Sequence, residues 1–229
     1  MKKCVFIVAL LCAALCVAAT PAFADGLDFS STGLLGGAVE YAGTGGAVTG
    51  SGIPITMVSS GASSDAVTGK TCGRANVPCG WLSFSTGNFI TSGTNGSGQK
   101  FEEFAGGGNV TIIGEVPGDH HVITLLSGSF NGPVTFTLLN PTTMEMTANL
   151  NVSFVDPSVR ALFPGATIGT GGNIVLTFPY TMFKNGGFNG HALNTNVFVS
   201  TPEPSSMLLL GSGFFGLAAM LRRKQFLKP

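Results

Sequence analysis

Charge is what this sequence has least of. Asp, Glu, Lys and Arg make up 10% of its 229 residues, against about 25% in an average soluble protein. The apparent neutrality hides an asymmetry, because six of the bases sit near the two ends. Between Asp25 and Thr201 five bases face ten acids, which leaves −5. A mildly acidic region with scattered Lys and Arg excludes nucleic-acid binding, which needs clustered bases to neutralise phosphates. Catalytic vocabulary is sparse too. There are three His, one Trp and two Tyr, and no G-x-S-x-G nucleophile elbow occurs. Lys70-Thr71 follows Gly69 without the rest of a phosphate loop. No long stretch between residues 25 and 200 carries a helical period, and no spacing of residues calls for a cofactor or a metal.

What is abundant is glycine, 34 residues, together with Thr, Ser and Asn. Short segments alternate with period two. Ala148, Leu150, Val152 and Phe154 alternate with Asn149, Asn151 and Ser153; Val134, Phe136 and Leu138 alternate with Thr135 and Thr137; Ile174, Leu176 and Phe178 share a face. Leu82/Phe84 and Val110/Ile112 repeat the pattern. This is the signature of half-buried strands. Turn signals divide the runs: Asn95-Gly96, Pro117-Gly118, Asn131-Gly132-Pro133, Asn140-Pro141, Pro164-Gly165, Gly171-Gly172 and Asn185-Gly186. The Gly-rich stretch from Gly33 to Gly52 reads as a hairpin or loop. The expected fold is all-β, an antiparallel sandwich or barrel, with a Greek-key or jelly-roll-like sandwich preferred.

Two cysteines, Cys72 and Cys79, stand within the β-rich region, and an oxidising compartment would pair them as a structural disulfide; the alternative, half of a zinc site, lacks a second ligand pair of suitable spacing. Closing so small a loop is worth about 2.5 kcal/mol. Trp81 follows two residues after Cys79. It is expected in the core against the disulfide, with contact to a carbohydrate as the alternative. Tyr41 and Tyr180 are the other residues of the type that stacks on sugars. Other candidate chemistry is thin. His120 and His121 on a strand would point to opposite faces, so a site with Asp119 and distant His191 needs turn geometry. Glu102 and Glu103 would diverge on a strand, whereas sugar hydrolysis needs carboxyls facing each other about 5–9 Å apart; a solvated turn is the expected setting. Asp25 and Asp28 are too few for a calcium site.

The two ends read as addresses. Lys2 and Lys3 precede an uncharged apolar run from Cys4 to Ala19, and Ala22-Phe23-Ala24 is a small-x-small cleavage site. This is the pattern of a secretory signal peptide over residues 1–24, cut after Ala24 by signal peptidase. Cys12 and Cys16 follow Leu, which does not suit a lipobox. At the other end Pro202-Glu203-Pro204 precedes an apolar run from Met207 to Leu221, and Arg222-Arg223-Lys224 follow. As a transmembrane helix the run spans about 22 Å, short of a roughly 30 Å hydrocarbon core, with its bases held on the cytoplasmic side. Gly211-Ser212-Gly213-Phe214-Phe215-Gly216 copies a dinucleotide fingerprint but lacks the strand before it and the acid after it; its glycines suit close helix packing.

Residues 201–229 resemble a PEP-CTERM sorting signal, found on exported proteins of Gram-negative bacteria that make extracellular polysaccharide. Pro202, Glu203 and Pro204 match its motif one for one, and the helix and the Arg222-Arg223-Lys224 flank match its other parts. The resemblance implies an exosortase-type membrane protease as partner. It also implies a passage from an inner-membrane intermediate to the cell surface, outer envelope or extracellular matrix. With residues 25–200 as a β-rich extracytoplasmic domain lacking an active site, the expected function is that of a non-enzymatic surface or matrix protein associated with exopolysaccharide or biofilm. A carbohydrate-binding or adhesive module is the alternative, and a secreted hydrolase the third reading.

Overall fold

The structure is a computed structural model that describes residues 26–72, 77–119, 121–164, 166 and 168–200. The signal-peptide residues, including Ala22 and Ala24, and the C-terminal residues 201–229 lie outside the described set. So does His120. Among the described residues no helix is long and apolar enough to cross a membrane.

In chain order the strands are β1 (Leu27–Ser31), β2 (Gly36–Tyr41), β3 (Ala47–Ile55), β4 (Met57–Ser60), β5 (Ser63–Ala66), β6 (Lys70–Cys72), β7 (Val77–Thr94), β8 (Lys100–Phe104) and β9 (Gly107–Gly114). They continue as β10 (Ile123–Asn140), β11 (Thr143–Val155), β12 (Gly171–Met182), β13 (Phe188–Ala192) and β14 (Asn194–Val199). One short helix, α1 (Pro157–Leu162), stands between β11 and β12. Every pairing is antiparallel, and the pairs follow the chain. β2 and β1 pair with β3 and β4, β3 with β7, β7 with both β8 and β9, and these two with β10. β10 then pairs with β11, β11 with β12, and β12 with β13 and β14. β13 returns to β2 and β14 to β1. Consecutive short strands act as one interrupted stave, so eight staves close on themselves. The result is an up-and-down barrel, each stave beside its sequence neighbour, rather than the Greek-key sandwich preferred from the sequence. Alternation and turns report strands; they do not report which strands pair.

The alternation sets inside and outside. On β11 Met144, Met146, Ala148, Leu150 and Val152 are buried inward, while Glu145, Thr147, Asn149 and Asn151 face out. An outer-membrane barrel has the opposite arrangement, apolar outward and polar inward. Here the interior is packed with side chains, among them six rings in contact: Tyr41, Phe89, Phe104, Phe136, Phe178 and Phe188. Most meet edge-on or tilted, such as Phe104 on Phe136 at 5.3 Å between centroids, the geometry that ring quadrupoles prefer. Part of the glycine content serves buried rings rather than turns. A Cβ on Gly50 would run into the Phe84 ring, and one on Gly190 into Phe178.

Two irregularities explain where the sequence pattern misleads. Asn131-Gly132-Pro133 is not a turn but a bulge inside β10, where its partner changes from β9 to β8; Gly132 has φ 88°. A second shift in register, between Ser127 and Gly128, carries Phe154 out of the apolar face, leaving it 41% exposed while Val155 is buried.

The barrel has two unlike ends. One is closed by four short hairpins at residues 42–46, 95–99, 141–142 and 183–187, and its connections are tied by asparagines. Asn95 Oδ1 accepts from the Ser97 and Gln99 amides at 3.0 and 2.9 Å, and Asn140 Oδ1 from Thr142 at 2.9 Å. The other end carries the long connections, α1, and the points where the described chain begins and leaves, Gly26 and Ser200.

Candidate functional site

The sequence candidates fall at different places on this scaffold. Cys72 and Cys79 form a disulfide, Cα–Cα 5.9 Å, at the end with the long connections. It joins β6 to the start of β7, which also pair through Lys70 and Cys79. Trp81 is not in the core. Leu82 takes the inward position, so Trp81 is half-buried on the outer face, and Lys70 Nζ lies 4.4 Å from its ring centroid. The cation covers the π face.

Glu102 and Glu103 lie on β8 rather than in a solvated turn. They sit opposite Phe136 and Thr135 of β10, so they point to opposite faces and their carboxyls do not converge. Glu102 takes the inward side, with Phe104 and Phe136. Its Oε2 is buried with no hydrogen-bond partner, and burial pushes the carboxyl above the usual range.

Asp119 sits in the connection from β9 to β10, packed on α1. Its Oδ2 accepts from Ser158 Oγ at 3.2 Å and its Oδ1 from the His121 amide at 3.2 Å. The His121 ring lies 3.7 Å away and is 85% exposed. A hydroxyl is activated when an imidazole stands between it and the carboxylate. Here the carboxylate stands between them, so Ser158 is tied rather than activated. Asp156 caps α1 by accepting from the Ser158 amide at 2.8 Å. His191 is elsewhere, on β13, with Nδ1 on the Gly37 carbonyl at 2.5 Å. The structure therefore does not bring His191 to Asp119. Among the described residues no three His, Cys, Asp or Glu side chains gather as a metal site would require.

One arrangement had no clear signal in the sequence. On the outer face of β1, β12 and β14 a depression of ≈ 400 Å³ is lined by Asp28, Ser30, Thr177, Asn194 and Asn196 among others. Asn196 Nδ2 donates to both oxygens of Asp28, at 2.8 and 2.9 Å. Burial raises the Asp28 pKa, and the Asn196 bond pulls the other way. Thr177 Oγ1 there is buried with no hydrogen-bond partner; Ser31 Oγ, on the inward side of β1 with Leu27 and Phe29, also has none. The hint available in the sequence was the density of Asn and Thr at polar positions of the last two staves. It is diffuse, because these residues converge only through pairing of the first and last staves.

The last strand stops at Val199, and a sorting segment begins at once. Residues 200–224 match the PEP-CTERM protein-sorting motif. Pro202, Glu203, Pro204, Arg222, Arg223 and Lys224 fall inside the matched span. The motif implies an exported protein, sorted through the membrane by an exosortase to the cell surface or extracellular space. No curated protein and no solved structure matches the chain.

Proposed function

We propose that this chain is a non-enzymatic surface or matrix protein, whose barrel is delivered outside the cell by its terminal signals and works there in association with extracellular polysaccharide or biofilm. The observation that carries the reading is the PEP-CTERM match at residues 200–224, which starts directly after the last strand. In this scheme signal peptidase cuts after Ala24. The apolar run Met207–Leu221 then holds the protein in the inner membrane, with Arg222, Arg223 and Lys224 on the cytoplasmic side, until an exosortase acts at Pro202-Glu203-Pro204. The non-enzymatic part draws support from the divergence of Glu102 and Glu103 and from the place of Asp119 between Ser158 and His121. Those separations also weigh against a secreted hydrolase. A carbohydrate-binding role centred on Trp81 draws no support from its ring, which Lys70 covers.

Mass spectrometry of the mature protein from its native host tests the scheme. The expected species begins at Asp25, lacks the Met207–Pro229 tail and gains two daltons on reduction of the Cys72–Cys79 disulfide. An intact C-terminus would replace processing with permanent anchoring. A chain retaining its first 24 residues in the cytoplasm would end the proposal.

A further inference from the structure

The outer face of the barrel is a lattice of short polar side chains in register. Thr147 of β11 lies opposite Val175 of β12, which lies opposite Asn196 of β14, which lies opposite Ser30 of β1. The next row runs Asn149, Asn173, Phe198 and Asp28. Two depressions, of ≈ 400 and ≈ 310 Å³, flank Val175 and share it as a wall. Together they make a groove across five staves, from β10 to β1. The residues lining it include no Lys or Arg.

One of the buried side-chain oxygens that have no partner among the described residues, Thr177 Oγ1, lies on the outward side of β12 and lines this groove. A buried hydroxyl without a partner is costly, so Thr177 asks for one from outside. The fixed Asp28–Asn196 pair presents an acceptor and a donor side by side. Phe198, half-buried in the next row, packs its ring over Gly26, where a Cβ would strike it.

We propose that this groove binds a neutral, hydroxyl-rich glycan chain, with Thr177 and the Asp28–Asn196 pair taking its hydroxyls and Val175 supporting its C–H faces. Sugar hydroxyls donate and accept at once, as the Ser, Thr and Asn groups here do. An anionic polymer would meet the Asp28 carboxylate with no base to offset it. A protein partner would find none of the Tyr, Trp or Arg anchors that dominate such interfaces. The inference deepens the polysaccharide association proposed above, by giving it a place and a charge class.

Affinity electrophoresis of the full-length chain in mild detergent, through gels containing dextran, laminarin, mannan or anionic alginate, tests it. At least one neutral polymer is expected to retard the protein. Val175→Arg, which fills the wall between the depressions, should weaken that retardation about tenfold. Thr177→Val should weaken it less, and Thr177→Ser should restore it. Ser83→Arg, on the outer face of β7 across the barrel, is the control and should change nothing; circular dichroism establishes that each variant is folded. Retardation by alginate alone, or by no polymer, overturns the proposal. Retardation that survives Val175→Arg and Thr177→Val but is lost in Trp81→Ala overturns this groove and leaves the polysaccharide association standing.

Discussion

The two ends of the barrel are stabilised by different physics. Where the four short hairpins lie, the interior is a cluster of aromatic rings, and the connections are tied by asparagine side chains a few residues away. Where the chain enters and leaves, connections are long, and the ties are a disulfide, a capped one-turn helix and the Asp119–Ser158 bond. The comparison teaches that short loops need only packing and turn-local bonds to fix an end, whereas long ones also need a covalent link or a clasp between segments distant in sequence, because each loose residue costs conformational entropy.

The largest test of that contrast is Phe136→Ala. Its ring meets Phe104, Phe178 and Phe188 at 5.3, 6.3 and 5.5 Å, and its removal should cost about 3–5 kcal/mol in chemical denaturation. If the cost is under about 1 kcal/mol, the ring cluster is not what secures the hairpin end. Replacing Cys72 and Cys79 together by Ala should cost less, about 2.5 kcal/mol. It should also alter the fluorescence of Trp81 by loosening β6 and Lys70, while hydrogen exchange at the hairpin end stays unchanged. Equal loss of protection at both ends would erase the distinction. Asp156→Ala removes the cap of α1 and should cost about 1 kcal/mol, read as a lower denaturation midpoint.

The smallest effect is expected from Glu102→Gln, and its sign depends on pH. Burial raises the Glu102 pKa above its ordinary 4.5, so the folded chain holds the proton more tightly than the unfolded one. Stability is then greatest below that ordinary value and declines as pH climbs through the folded one. The variant should therefore melt slightly higher than the parent at pH 7, and the difference should close in acid. A variant that melts lower at pH 7 would mean that the charged carboxylate is satisfied after all.

Much of this was legible in the residues. The alternation in Ala148–Val152 and Ile174–Phe178 gave the correct inward faces, and Asn95, Asn140 and Asn185 marked real hairpins. The terminal Pro-Glu-Pro could be read directly because its three parts are contiguous. What could not be read depends on partners distant in sequence. Asn131-Gly132-Pro133 has the composition of a turn and becomes a bulge because β8 and β9 share one neighbour. Trp81 was expected inside, but Leu82 holds the inward position and a lysine eleven residues earlier reaches the ring. The Asp28–Asn196 pair joins the first strand to the last, a proximity that no local pattern encodes.

That same joining has a consequence for the order in which the chain folds. Leu27 pairs with Val199, so the ring cannot close until its final stave has emerged. Before then β1 and β12 each present an open edge able to recruit a stray strand, and a contact between the two extremes of the sequence is among the slowest to form. The sorting segment follows Val199 without a spacer. The stave that closes the ring is therefore the one made immediately before the sorting match at residues 200–224.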